Sequence, residues 1–209
     1  MLMANNFDNN VDVLNYLNSN PNFDLLNNNS FFESFNDLMP ECKYKSIDTL
    51  DSNFSKDKLL CISMNCQSLR AKYLAITNLI DSMKVKDINP CLINCQETWR
   101  TDTFSCNING YNFFSQSRKE GQGGGVGIYV RDDIHAEKLN KESLFTDHIY
   151  ESIAIKVDIP KVKKFIAVSL YRPNNHSNLN YNQQVEQFFI NLSNHLNSLK
   201  KYSIPVYFF

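Results

Sequence analysis

The stretch Pro90-Cys91-Leu92-Ile93-Asn94-Cys95-Gln96-Glu97-Thr98-Trp99 decides how this chain is read. It is a short apolar run of the length of a buried β-strand. Glu97 closes it. A carboxylate at the end of a buried strand is costly to desolvate unless something pairs with it. A divalent metal ion is one such partner.

The elements on either side fix the class. Leu59-Leu60-Cys61-Ile62-Ser63-Met64-Asn65 reads as a strand. A helix follows to about Met83, with Leu69, Tyr73, Ile76, Ile80 and Met83 at helical spacing. Strand, helix and the 91–97 strand make a βαβ unit, with parallel strands and a right-handed crossover. Further strands are expected at roughly 111–117, 125–131, 151–159 and 165–171. A helix over about Gln183–Leu199 is buried through Val185, Phe188, Phe189, Leu192, Leu196 and Leu199. The apolar run Ser203–Phe209 begins one more strand. The pattern is α/β, with no fixed-period repeat.

Residues 1–55 differ in kind. Asparagine dominates, as in Asn5-Asn6, Asn9-Asn10 and Asn27-Asn28-Asn29. Such a segment buries too little apolar surface to offset its ordering entropy, so it is expected to be largely disordered, ahead of a domain over 56–209. A short helical island at 30–39 interrupts it. Ser30 and Glu33 fit a capping box, Phe31, Phe35 and Leu38 share one face, and Pro40 ends the turn. That island either docks on its own domain or serves a protein partner's groove through Phe31–Leu38.

Bulk properties narrow the function. A net charge of -1 over 209 residues argues against a strongly basic polyanion-binding protein. Six cysteines without a secretory signal read as reduced, and Cys91 and Cys95, on one strand face with Ile93 between, read as core. No apolar stretch is long enough for a transmembrane helix, so no membrane partner is expected. The histidines sit in loops or in the last helix, where His195 flanks the buried face, and none forms a metal pair. The tract Gly121-Gln122-Gly123-Gly124-Gly125-Val126-Gly127 has neither phosphate-loop register, and it enters a strand. Close backbone approach to a neighbour is the better reason for its glycines.

The candidate chemistry lies at strand ends. Parallel neighbours end at the same sheet edge, which brings Asn65 and Glu97 to one mouth. Alternation places Asn65 on the face of Cys61 and Ser63, and Glu97 on the face of Cys91, Ile93 and Cys95. If those faces coincide, an amide and a carboxylate meet, a donor pair suited to Mg²⁺ with waters and a substrate phosphate. Tyr171 ends the strand Phe165–Tyr171, and Arg172-Pro173 follow. A phenol and a guanidinium there can donate to phosphate oxygens.

The order of motifs resembles a known superfamily. Met64-Asn65-Cys66-Gln67-Ser68-Leu69 with Lys72, Gln96-Glu97-Thr98-Trp99, Gly110-Tyr111, Arg118, Gly123–Arg131, Glu151 and Leu170-Tyr171-Arg172-Pro173 follow one another. The series over about 58–209 is similar to the endonuclease/exonuclease/phosphatase superfamily. It is nearest to the apurinic-type endonuclease domains of non-LTR (LINE-type) retrotransposons. The resemblance implies a two-sheet α/β sandwich in four layers, α/β/β/α. It implies Mg²⁺- or Mn²⁺-dependent cleavage of a DNA phosphodiester bond, the target nicking that primes reverse transcription. By motif, Glu97 holds the metal, Asn65 supports it, Tyr171 contacts the scissile phosphate, Arg118 lies on the phosphate or DNA side, and Arg172 is either phosphate-side or structural. In such domains the strand ending at Phe209 leads into a Gly-Asp-x-Asn block, and later strands supply an Asp-His pair. The fold is therefore expected to be incomplete at the C-terminus and the fragment inactive. A phosphoinositide- or sphingolipid-type phosphodiesterase of the same superfamily, and a non-enzymatic nucleic-acid- or protein-binding fragment, are the alternatives. A DNA substrate implies the nucleus or cytoplasm.

Overall fold

The computed structural model describes residues 59–99, 105–118, 123–146, 148–160, 162, 164–173 and 179–209. The helical island at 30–39 and the Asn-rich segment lie outside the described residues.

Strands β1 (Cys61–Asn65) and β2 (Leu92–Gln96) flank helix α1 (Leu69–Val85). α1 starts where Ser68 caps it, its hydroxyl accepting the Ala71 N–H at 3.3 Å. Leu69, Ile76, Ile80 and Met83 form its buried stripe. β1 and β2 are parallel, with Asn65 opposite Gln96. The first sheet continues with β3 (Tyr111–Gln116) and β4 (Val126–Arg131), in the order β1-β2-β4-β3.

The second sheet holds β5 (His135–Lys138), β7 (Tyr150–Asp158), β8 (Phe165–Tyr171) and β9 (Val206–Phe208) in that order, with β6 (Phe145–Thr146) on β7. Helix α2 (Tyr181–Leu199) precedes β9 and opens on a capping box. Asn180 Oδ1 accepts the Gln183 N–H at 3.0 Å, and Gln183 Oε1 accepts the Asn180 N–H at 3.1 Å.

The two sheets face each other across one core. Leu92, Val126, Ile128 and Val130 meet Ile153, Ile155, Val157, Phe165 and Ala167 there. On the outer side of the first sheet, Ile93, Cys95 and Tyr129 pack on α1. On the outer side of the second, Ile166 and Val168 meet Leu199, and Tyr150 meets Phe188. The layers therefore run α/β/β/α, a two-sheet α/β sandwich. Among the described residues no helix is long and apolar enough to cross a membrane.

Four details differ from the sequence expectation. β5 and β6 are additional strands, and His135 lies in β5 rather than in a loop. Cys91 and Cys95 do not share a face: Cys91 belongs to the inter-sheet core and Cys95 to the α1 side. Both are free thiols, as are Cys61, Cys66 and Cys106. Lastly, His195 does not flank the buried face of α2. It is wholly buried and hydrogen-bonded through Nδ1 to the Tyr150 hydroxyl at 2.8 Å.

Candidate active site

The mouth is built where β1 and β2 end. Past Asn65 the chain keeps pairing with its neighbour: the N–H groups of Cys66, Ser68 and Leu69 donate to the carbonyls of Gln96, Glu97 and Thr98, each at 2.9 Å. On its other side, Thr98 and Trp99 donate to Gly125 and Gly124 at 3.1 and 2.9 Å. The segment Glu97–Trp99 is thus strapped between two loops. Those straps hold backbone that resists its conformation. Gln67, Ser68, Glu97 and Trp99 all have positive φ, which costs an L-residue about 1–2 kcal/mol. Such strain persists only where the surroundings over-determine it, and it clusters at functional sites.

Positive φ also corrects the expected geometry. Along the strands, Asn65 and Glu97 do not share a face. Cys61, Ser63 and Asn65 pair with Leu92, Asn94 and Gln96, and Cys61 and Leu92 contribute to the inter-sheet core. Ile93 and Cys95 point to α1, and strict alternation would send Glu97 after them. The left-handed turn at Glu97, φ 51, breaks the alternation and swings the carboxylate to the inter-sheet side.

There three side chains meet. Asn65 Nδ2 donates to Glu97 Oε1 at 2.7 Å. The Tyr171 hydroxyl, at the end of β8 in the opposite sheet, donates to the same oxygen at 3.0 Å. Asn65 Oδ1 accepts the Gln67 N–H at 3.1 Å, so the two bonds fix which way the amide points. Asn65 thus turns its NH₂, not its oxygen, to Glu97. Burial, and then the Glu97 carboxylate beside it, push the Tyr171 phenol well above its ordinary pKa. The phenol keeps its proton and remains a donor.

Beneath the mouth lies a polar layer that sequence reading missed. Asn94 Nδ2 and Gln96 Nε2 both donate to Ser63 Oγ, at 2.9 and 3.2 Å. The signal was present: Asn94 interrupts an otherwise apolar strand.

Against the rise that burial causes, Arg118 lies near enough to Tyr171 to pull its phenol's pKa partly back down. Arg118 is almost fully buried in an ion pair with Glu151, its Nε donating to Oε1 at 2.6 Å. Glu151 also accepts the Gly125 N–H. The triple glycine wraps over this pair. A Cβ at Gly124 would lie 2.3 Å from Arg118 Nε, and one at Gly125 would lie 2.6 Å from Thr98 Oγ1. Close approach is the reason for those glycines. Arg172 follows Tyr171 on the other strand face, and its guanidinium stands 5.8 Å from the Tyr181 ring at the start of α2.

Among the described residues, no group of three or more His, Cys, Asp or Glu side chains is placed to hold a metal ion. No closed protein cage is therefore built from them. A hard cation that keeps most of its waters asks for less: one or two carboxylates, water and phosphate. Glu97, oriented by two neutral donors at a rim, fits that demand.

No family model matches this sequence, and no curated protein matches it. Solved structures do. The AP endonuclease LMAP from Leishmania major superposes with a TM-score of 0.56 at 18% identity, covering 77% of this chain and 54% of that one. A D. rerio TDP2 complexed with single-strand DNA product gives 0.46 at 19%, covering 73% and 60%. The 3' phosphatase NExo from Neisseria, bound to a product DNA hairpin, gives 0.45 at 17%, covering 69% and 53%. The chain spans about half the length of the Leishmania enzyme, and over that half the two share a fold.

Proposed function

We propose that this chain carries the carboxylate side of a metal-dependent phosphodiester hydrolase acting on DNA, of the kind that nicks target DNA for a non-LTR retrotransposon. One observation carries the reading. Side chains from both sheets converge on a single carboxylate oxygen, in the segment where strained backbone clusters. A core-packing role would not need that strain.

Glu97 would hold Mg²⁺ or Mn²⁺, and the bound ion would supply positive charge against a phosphoryl oxygen. The rest falls to the chain. Asn65 fixes the Glu97 carboxylate through Nδ2 while its own oxygen is tied to the Gln67 N–H. Tyr171, still protonated, offers its O–H toward the same mouth and can transfer that hydrogen bond to a phosphate oxygen. Arg118 acts through position: with Glu151 it fixes the glycine loop that straps Glu97–Trp99. Arg172 is left to the DNA-facing rim near α2. Among the described residues, the side chains gathered at this mouth include none that would activate the attacking water, and general acid–base help of roughly 10²–10⁴-fold depends on such a group. The chain 1–209 is therefore expected to bind DNA in a metal-promoted manner and to cleave it poorly.

The test is a gel-shift and supercoiled-plasmid nicking assay on the full chain, with and without Mg²⁺. A Mg²⁺-dependent gain in DNA binding that is lost in Glu97→Gln supports the reading. Binding indifferent to both metal and Glu97 contradicts it. Strong nicking abolished by Glu97→Ala would uphold the nuclease and refute the missing base.

A further inference from the structure

Two residues beyond Glu97 stands Trp99, the only tryptophan of the chain. Thr98 between them is fully buried, yet Trp99 keeps 45% of its surface exposed. Its φ is 46, a genuine outlier for a bulky residue. Its backbone is pinned, the Trp99 main-chain N–H donating to Gly124 O at 2.9 Å, and the indole lies against the glycine loop, its Nε1 3.7 Å from where a Cβ on Gly123 would stand. Other exposed apolar side chains, such as Leu74 and Val85 on α1, are scattered and need no explanation. Trp99 differs from them in being held, in strained backbone, beside the proposed phosphate site.

We propose that the Trp99 indole is a stacking platform for an unpaired nucleobase, which makes single-stranded or locally opened DNA the substrate class of the Glu97 site. This rests on the reading of Glu97 as a phosphodiester site. Every base has a π face, so stacking on an aromatic ring binds single strands with little sequence preference. An inositol or a sphingolipid headgroup offers no such face. The charge balance points the same way. With a net charge of -1, the chain gains little from phosphate neutralisation, and base stacking carries a correspondingly larger share of affinity.

The lone tryptophan makes the test direct, because red-edge fluorescence reports on Trp99 alone. The full chain is titrated at low salt in chelator with oligothymidylate, with an abasic phosphodiester of equal length and charge, and with inositol trisphosphate. Oligothymidylate should quench the emission and the other two should not. By anisotropy, Trp99→Ala should weaken oligothymidylate binding roughly 5- to 100-fold, and Trp99→Phe should restore most of it. Equal quenching by the abasic chain, or undiminished binding by Trp99→Ala, overturns the proposal. The quenching assay is run without metal, so the two readings fail separately. Base-dependent quenching alongside metal binding indifferent to Glu97→Gln keeps the platform and removes the metal role of Glu97. The reverse pattern keeps the Glu97 site and removes the platform.

Discussion

Two tyrosines in this molecule each hold a titratable side chain by a hydrogen bond, and they do it in opposite surroundings. Tyr171 reaches Glu97 at 3.0 Å across the open mouth between the sheets, where the backbone is left-handed. Tyr150 is bonded to His195 at 2.8 Å in a sealed layer between the second sheet and α2. His195 belongs to a regular, capped helix, and its ring lies against the backbone and carboxylate of Glu142. A sealed polar pair fixes packing, and its cost appears as stability. An open pair on strained backbone does little for stability and is arranged for something that arrives from outside.

The sharpest way to break that distinction is Arg118. If it belongs with the sealed groups, Arg118→Ala leaves Glu151 charged and unpaired in the interior, and unfolding free energy should fall by about 3–5 kcal/mol. Denaturant melts check this. A small loss of stability with a large loss of DNA binding would move Arg118 to the open side.

A smaller effect tests His195. Burial holds its pKa down at about 4, with the Glu142 carboxylate pulling weakly upward. The folded imidazole stays neutral while the unfolded one gains a proton below about 6.5. Stability should therefore be intact above that pH and fall as pH drops toward 4, by up to about 3 kcal/mol. His195→Phe should flatten that part of the profile; an unchanged profile in the variant would show that His195 is not its source.

The smallest effect belongs to the open pair. Tyr171→Phe removes one hydrogen bond from a partly buried carboxylate that keeps its bond from Asn65 and should cost about 1 kcal/mol of stability or less. The same variant should weaken metal-promoted DNA binding. A cost of several kcal/mol would place Tyr171 with Tyr150.

How much of this was legible depends on the physics of each residue. Hydrophobic period marked α1, α2 and the long strands, because burial follows side-chain spacing. Strand ends also marked Asn65 and Glu97 as neighbours at one mouth; that β8 of the opposite sheet delivers Tyr171 there was not legible. The route by which Glu97 gets there was hidden, since nothing in a Glu announces a left-handed φ. β5 reads His-Ala-Glu-Lys, a polar edge strand without apolar alternation. Arg118 carries a charge and so reads as surface, although Glu151 buries it. His195 could have been found: it falls with Phe188, Leu192 and Leu199 on one helical face.

The account stands on Glu97 as a metal ligand held by Asn65 and Tyr171. A calorimetric titration of the full chain with Mn²⁺, set beside Glu97→Gln, tests that most directly. The account predicts binding to the wild type that falls roughly ten-fold or more in the variant, with the fold unchanged by circular dichroism. Equal Mn²⁺ binding by both proteins, or none by either in the presence of a phosphodiester, would contradict it.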